Sequence, residues 1–390
     1  TLSNDVTFTT TNSDVTFSST VDSDTALTKR NLTLTLGSGA ATFSGIVGGT
    51  ALADITLNSS ATFNAVVTAN NLTIAASKIA TVKDDVTIAS TIALSGNSTL
   101  EVLNASTMTI AGTITDTGTG NTIRVNDSDA SAAPDEVNFS GTVAADTLTI
   151  GTSTTAGQAT FTGSSGVTIT HVSITGGDHA NEDSTATFNY GLTSTAIILD
   201  DNTGSATIVF AEDNSVTIAG TIDGAATGEG NLLVSGQTKT FSGDVGVTNE
   251  VNFIIQASPV FNGSFESTNG TIDADFTAPN LSISGDITIN ANVTTTGTQT
   301  YSGAVTLSGG DRILQGSTVN FGGTITGTGS HDLTVTGNLD LDDAMTSVVD
   351  LSVSGTSNLG ADITTTGTQT YTGVVTLSGG DRILQGSTVN

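Results

Sequence analysis

The chain has 390 residues and a net charge of −29, from 37 acidic and 8 basic residues, and it contains no cysteine. Such a negative field repels phosphate backbones and so excludes nucleic acid as a partner. The missing cysteines exclude a disulfide framework and cysteine-based metal sites or catalysis. No run of 18 or more apolar residues is present, so the sequence predicts no membrane-spanning segment.

Strand and turn formers dominate the composition. The chain has 45 glycines, only 3 prolines and abundant threonine, while residues that favour helices are scarce. Apolar residues make up 36% of the chain and recur periodically, which separates it from a disordered tract of serine and glycine. Because this pattern continues without a break in composition, we expect one continuous domain over residues 1–390.

Recurring aromatic motifs mark successive coils along the chain. The segment DVTF occurs at Asp5 and again at Asp14, and we interpret the two copies as neighbouring sides of one coil. Related motifs follow as ATFSG at Ala41, ATFNA at Ala61, VNFSG at Val137, ATFTG at Ala159, KTFSG at Lys239 and PVFNG at Pro259. The spacing predicts about 20 residues per turn and roughly 17 to 20 turns, with one stacked aromatic ring per turn.

Three polar segments interrupt the strand pattern. They are NDSDASAAPDE at 126–136, TGGDHANEDSTAT at 175–187 and IDGAATGEGN at 222–231. Each segment has the composition of a loop that projects from a corner. Because loops on a rigid scaffold carry function, we expect any specific binding to occur at one of these three.

The C-terminal third of the chain contains a duplication. Residues 294–320 and 364–390 match at 25 of 27 positions, and the similarity continues upstream with LSISG at Leu281 and LSVSG at Leu351. We therefore divide this region into a complete 70-residue block at 281–350 and a truncated copy at 351–390. If both copies occupy the same face, 70 residues must be a whole number of turns, and three turns fit best. The second copy stops before the equivalent of Phe321, which indicates a piece of a longer polypeptide or a subunit completed by its neighbour.

The duplicated segment also contains an Asp-Arg pair, Asp311 and Arg312, repeated at Asp381 and Arg382. A repeated charged pair could form a repeated binding site. We instead interpret it as part of a duplicated scaffold, with each pair at a solvent-facing corner.

The sequence predicts no catalytic residues. A β-helix enzyme that degrades acidic polysaccharides needs clustered carboxylates with nearby lysine or arginine, and the 8 basic residues are scattered. A Ser-His-Asp triad needs a suitably placed histidine. We interpret the three histidines, His171, His179 and His331, as solvated surface residues.

Calcium is the most credible ligand, because it takes oxygen donors from closely spaced carboxylates. The candidate ligands are Asp127 and Asp129 in the first loop, Asp178, Glu182 and Asp183 in the second, and Asp200 and Asp201 before Asn202. None of these sets matches a complete EF-hand loop. The alternative interpretation is that they are ordinary corner aspartates, so no cofactor is predicted and calcium is left as an option.

Three phrases in the chain resemble the repeats of a known class of protein. GTQTYSGAVTLSG at 297–309, VNFGGTITG at 319–327 and NLSISG at 280–285 are similar to repeats of filamentous-haemagglutinin-like adhesins and of autotransporter passengers. The resemblance implies a right-handed parallel β-helix that is exported and displayed on a bacterial surface. It implies no functional residues, because these repeats are structural.

The sequence therefore predicts an all-β protein, a single elongated right-handed parallel β-helix. The favoured function is a structural or adhesive segment of an extracellular fibre at a bacterial cell surface, without catalysis. Its expected partner is itself, by end-to-end association or by continuation in a longer chain. The alternative is an adhesin module that binds surface glycans or calcium through its corner loops, and a polysaccharide-degrading enzyme is the third option.

Overall fold

A computed structural model gives the fold and describes residues 1–104, 107–127, 135–211 and 216–390, without the side chains of Asn104 and Asp127. The described chain is all-β and forms a parallel β-solenoid with about 21 residues per turn and about 16 turns. The predicted fold class is confirmed. The turns are fewer than predicted because several exceed 20 residues: Val6 pairs with Leu32, and Ile114 pairs with Val143 one turn later.

The Cα positions group into two compact units, Thr1–Val209 and Phe210–Asn390. The strands up to Phe210 are β1 (Val6–Thr9), β2 (Val15–Phe17), β3 (Leu32–Thr35), β4 (Ala41–Phe43), β5 (Val47–Leu57), β6 (Ala61–Phe63), β7 (Val67–Ile74), β8 (Ile79–Val82), β9 (Val86–Leu94), β10 (Thr99–Asn104), β11 (Met108–Asp116), β12 (Thr122–Asp127), β13 (Glu136–Phe139), β14 (Val143–Ile150), β15 (Gln158–Phe161), β16 (Val167–Thr175), β17 (Ser184–Phe188), β18 (Leu192–Asp200) and β19 (Ala206–Phe210).

The strands after Phe210 are β20 (Val216–Gly224), β21 (Asn231–Val234), β22 (Lys239–Phe241), β23 (Val251–Ile255), β24 (Val260–Phe261), β25 (Phe265–Ile272), β26 (Phe276–Ala278), β27 (Leu281–Ile283), β28 (Ile287–Ile289), β29 (Val293–Thr295), β30 (Thr298–Tyr301), β31 (Val305–Leu307), β32 (Arg312–Phe321), β33 (Ile325–Gly327), β34 (Leu333–Leu341), β35 (Met345–Val348), β36 (Leu351–Val353), β37 (Ser357–Leu359), β38 (Ile363–Thr365), β39 (Thr368–Tyr371), β40 (Val375–Leu377), β41 (Leu384–Gln385) and β42 (Thr388–Val389).

The core of the first unit is a stack of inward-facing apolar side chains. Alternate residues of each strand point inward, as in β17, where Ser184, Ala186 and Phe188 are buried and the residues between them are partly exposed. Parallel pairing then places equivalent residues of successive turns above one another. The Phe17, Phe43 and Phe63 rings stack at centroid distances of 4.5 and 4.8 Å, and the Phe139, Phe161 and Phe188 rings stack at 4.9 and 4.8 Å. The predicted stacking of aromatic rings is confirmed here.

The second unit has three columns of paired strands over residues 281–389. One column contains β27, β30, the C-terminal part of β32, the C-terminal part of β34, β37 and β40. A second contains β28, β31, β33, β35, β38 and β41. The third contains β29, the N-terminal part of β32, the N-terminal part of β34, β36, β39 and β42. Each turn in this region is therefore a three-sided coil.

The two copies of the duplicated block lie on different sides of this coil. Val293 in the first copy belongs to the column Val293, Leu314, Val335, Val353 and Tyr371. Its equivalent in the second copy, Ile363, belongs to the column Ile287, Val305, Ile325, Met345 and Ile363. The expectation that 70 residues span a whole number of turns is wrong, because the block covers three turns and two further sides. A duplication can start on any side, since each side is the same unit of short strand and corner.

The stacked phenylalanines should dominate the stability of the first unit. Phe161→Ala removes a ring that is 2% exposed and lies between Phe139 and Phe188. We expect the free energy of unfolding to fall by about 3–5 kcal/mol, from lost burial and the cavity left behind. Thr160→Ala, on the outward face of the same strand, should change it by less than about 0.5 kcal/mol. Urea unfolding of the two variants beside the wild type checks this, and equal effects would contradict the inward stack.

Candidate functional site

The predicted loops at 175–187 and 222–231 overlap the neighbouring strands, since Thr175 belongs to β16, residues 184–187 to β17, residues 222–224 to β20 and Asn231 to β21. Residues 176–183 connect β16 to β17, and residues 225–230 connect β20 to β21. Most of the loop at 126–136 lies outside the described residues, and with it Asp129 and the side chain of Asp127. The structure therefore places five of the seven candidate calcium ligands.

Asp200 and Asp201 lie at the end of β18, where Asp201 braces its own corner. Asp201 Oδ1 accepts a hydrogen bond of 2.6 Å from the backbone N–H of Ala206. The neighbouring Asn202 donates from Nδ2 to the carbonyl oxygen of Ser153 at 2.7 Å. The side chains of Asp201 and Asn202 therefore hold the corner in place through hydrogen bonds to backbone groups.

Asp183 faces the following turn rather than its own loop. Its Oδ1 accepts hydrogen bonds of 2.8 Å from both the N–H and the hydroxyl group of Ser205. This carboxylate therefore joins two turns of the coil. The structure does not bring it into a shared site with Asp178 and Glu182.

Asp178, His179 and Glu182 converge at the corner between β16 and β17. The ligand atoms that they offer all lie within 4.8 Å of one another. His179 Nδ1 lies 2.9 Å from Asp178 Oδ1 and 3.4 Å from Glu182 Oε1. Asp178 and Glu182 were predicted as ligands, whereas the sequence analysis assigned His179 to the solvated surface and missed its place between the two carboxylates.

The loop backbone fixes this cluster. Glu182 N–H donates to the carbonyl oxygen of His179 at 3.0 Å, and Gly177 N–H donates to that of Glu182 at 2.9 Å. The Glu182 carboxylate packs directly against Gly177, where any Cβ atom would collide with Oε2. The next turn supports the loop, since Gly204 N–H donates to the carbonyl oxygen of Gly177 at 3.0 Å.

The three side chains differ sharply in exposure. The side chains of His179 and Asp178 are 68% and 48% exposed, whereas that of Glu182 is only 3% exposed. Glu182 Oε2 accepts a long hydrogen bond of 3.3 Å from the N–H of His179, and Oε1 is buried without a hydrogen-bond partner. The corner thus holds a buried carboxylate oxygen that has no hydrogen bond and lies 3.4 Å from an accessible imidazole nitrogen.

The charges at this corner raise the pKa of His179 above its ordinary value of 6.5. The hydrogen bond to Asp178 is the main cause, and the charges of Asp178 and Glu182 add to it. Because the pKa is higher in the folded state, protonated His179 stabilises the fold below its unfolded pKa, and this contribution is lost as the pH rises through the folded pKa.

Asp178→Asn should therefore lower the pKa of His179 in metal-free protein, because the amide cannot supply the negative charge. Titration of the ring protons by NMR checks this, with His179→Ala used to assign the resonance. An unchanged pKa in Asp178→Asn would contradict the close contact between the ring and the Asp178 carboxylate.

Many other corner acids join successive turns as Asp183 does. In one column Asp286 N–H donates to Asn269 Oδ1, and Ala304 N–H donates to Asp286 Oδ1, each at 2.9 Å. Asp311 and Asp332 each accept the N–H of the residue one turn later, Asp332 and Asp350 respectively, at 3.0 Å. At these corners the side chain supplies an acceptor for a backbone N–H that lies between two strands. These carboxylates therefore act as hydrogen-bond acceptors between turns.

The duplicated segment contains a buried polar network that was not predicted. Gln299 and Tyr301 are completely buried. Tyr301 Oη donates to Gln299 Oε1 at 2.9 Å, and Gln299 Nε2 donates to the carbonyl oxygen of Gln315 at 2.7 Å. The second copy repeats this arrangement, with Tyr371 Oη donating to Gln369 Oε1 at 3.0 Å, and burial raises the pKa of Tyr371 to about 12. The identical QTY triplet in both copies was the available signal.

Arg312 was predicted to face solvent, but its side chain is buried. It is 7% exposed, and its guanidinium group lies over its own corner. Nε and Nη2 donate to the carbonyl oxygen of Ser308 at 2.8 and 2.6 Å, and Nη1 donates to that of Asp311 at 2.8 Å. The arginine side chain thereby stabilises the turn formed by Gly309 and Gly310. Because its donors are used within the corner, Arg312 is unsuited to a repeated binding site at the surface.

Comparisons with protein-family models, with curated proteins and with solved structures give no match. Within the described residues no helix has the length and apolar character to cross a bilayer.

The acceptor role of the corner acids can be tested at Asp286. Asp286→Ala removes the acceptor for the N–H of Ala304 and should lower the free energy of unfolding by about 0.5–1.5 kcal/mol. Asp286→Asn keeps an oxygen at the same position and should stay close to the wild type. Urea unfolding of both variants checks this, and equal losses would show that the negative charge, rather than the acceptor, is what matters.

Proposed function

We propose that this chain is a non-catalytic structural or adhesive segment of an extracellular fibre at a bacterial cell surface. The observation that carries the proposal is that polar side chains either hydrogen-bond to the next turn or are buried inside the coil. Corner acids accept backbone N–H groups of the next turn, as at Asp286 and Asp311. The most strongly repeated polar residues, Gln299 and Arg312, are buried in the scaffold.

The arrangement of the duplication supports the same proposal. An array of binding sites needs its copies on one face, whereas Val293 and Ile363 lie in different strand columns. A scaffold has no such requirement, because it needs only strands and corners that stack. The resemblance of the repeats to those of surface adhesins agrees with this and supports the extracellular location.

Self-association would use the ladder edge at β40 and β42. Leu377 in β40 is 53% exposed, whereas its partner one turn earlier, Leu359, is completely buried. Val389 in β42 is 44% exposed and pairs with the buried Gln369. Apolar side chains at core positions on such an edge favour pairing with a further turn, which belongs either to the same polypeptide or to a second copy.

The test is sedimentation velocity and negative-stain electron microscopy of the 390-residue chain over a range of concentrations. We expect linear assemblies that lengthen with concentration, and we expect Leu377→Lys to suppress them because a charge blocks edge pairing. Ile254→Lys is the matched control, since Ile254 is 44% exposed but lies within the paired strand β23. A chain that stays monomeric at every concentration would contradict end-to-end association.

Binding of glycans or calcium through the corner loops stays a second prediction. Among the predicted calcium ligands, Asp178 and Glu182 offer carboxylate oxygens at one corner. Thermal melting with and without millimolar calcium distinguishes the two functions. An unchanged melting temperature would contradict calcium binding.

A further inference from the structure

We propose that the corner between β16 and β17 is a binding site for a divalent first-row transition metal, with Zn²⁺ as the representative ion. The protein ligands are the Asp178 carboxylate, His179 Nδ1 and Glu182 Oε1. This inference is independent of the structural function proposed above, because it depends only on the geometry of one loop.

The spacing of the donor atoms suits one small cation. Ligands at about 2.0–2.2 Å from Zn²⁺ in a tetrahedral site lie roughly 3.3–3.5 Å from one another. Nδ1 of His179 lies 2.9 Å from Asp178 Oδ1 and 3.4 Å from Glu182 Oε1. The Asp178 and Glu182 oxygens lie within 4.8 Å of each other, so movement of the exposed Asp178 and His179 side chains would bring all three donors to this spacing.

The buried oxygen of Glu182 is an independent sign of a missing ligand. A carboxylate withdrawn from water is destabilising unless it is paired and hydrogen-bonded. Glu182 Oε1 has no hydrogen-bond partner, and the nearest cationic group is the same His179 nitrogen that lies closer to Asp178. A divalent ion would satisfy this oxygen and, with two carboxylates and a neutral imidazole, would bring the site to zero net charge.

The loop holds the backbone of the three ligands and the Glu182 side chain in place before an ion arrives. Hydrogen bonds from Glu182 N–H to His179 and from Gly177 N–H to Glu182 close the loop upon itself. Gly177 leaves room for the Glu182 carboxylate. Little conformational entropy remains to be lost on binding, which favours affinity. Binding replaces any Nδ1 proton, which is released to solvent.

The donor set selects a transition metal over calcium. Calcium takes six to eight oxygen ligands, whereas this site offers one imidazole nitrogen and two carboxylates. Imidazole with carboxylate suits zinc and its neighbours, and water would complete the coordination. Asp183, which could have added a further oxygen, is instead bonded to Ser205.

The test is isothermal titration of the EDTA-treated and dialysed 390-residue chain with ZnCl₂. We expect one saturable site per chain, with binding weakened at least about 10-fold in His179→Ala and in Glu182→Gln. His171→Ala is the matched control, because it removes an exposed histidine on β16 and should leave zinc binding unchanged. Calcium at about 1 mM should not displace the zinc.

Three results would overturn the proposal: no saturable zinc binding to the wild type, the same zinc isotherm for His179→Ala as for the wild type, or displacement of zinc by calcium. Equal isotherms would mean that zinc collects on the acidic surface in general. Circular dichroism melts of the metal-free variants show whether Glu182→Gln still folds. His179 is mostly exposed, so His179→Ala keeps the test decisive if Glu182→Gln does not fold.

Discussion

The structure depends on parallel hydrogen bonding between successive turns. This bonding fixes the spacing of the strands at about 4.8 Å and places residues of equivalent position above one another. Apolar residues then form inward stacks, as with Phe139, Phe161 and Phe188. At a corner, a side chain such as that of Asp311 accepts a backbone N–H of the next turn. The high content of aspartate and asparagine thus follows in part from the same constraint as the core.

Much of the fold could be predicted from the sequence, because a strand period of two and recurring aromatic motifs are properties of local sequence. The register could not. The 70-residue repeat was expected to return to the same face, but Val293 and Ile363 lie in different columns. This shift is possible because the three sides of each turn are built alike. The 70-residue spacing in the sequence does not show on which side a copy begins. The number of turns was overestimated for a related reason, since loops lengthen individual turns without changing the strand pattern.

The candidate site was predicted only in part. Loop composition identified residues 175–187, and Asp178 and Glu182 do converge. Side-chain direction could not be derived from spacing, so Asp183 was expected in the site although it bonds to Ser205 in the next turn. His179 was predicted to be a solvated residue, because the sequence of a polar turn does not show which side chains its histidine contacts. The burial of Glu182 depends on packing against Gly177 and on support from the following turn, which are tertiary facts.

The most direct test of the account is amide hydrogen exchange in Asp311→Ala, measured by NMR against the wild type. Asp311 Oδ1 accepts the N–H of Asp332, which is one turn and 21 residues away. The account predicts faster exchange at the Asp332 amide, with unchanged exchange in β30 and β31, which precede the substitution in sequence. Faster exchange confined to the sequence neighbours of residue 311, with the Asp332 amide unaffected, would contradict both the register and the role of the corner acids.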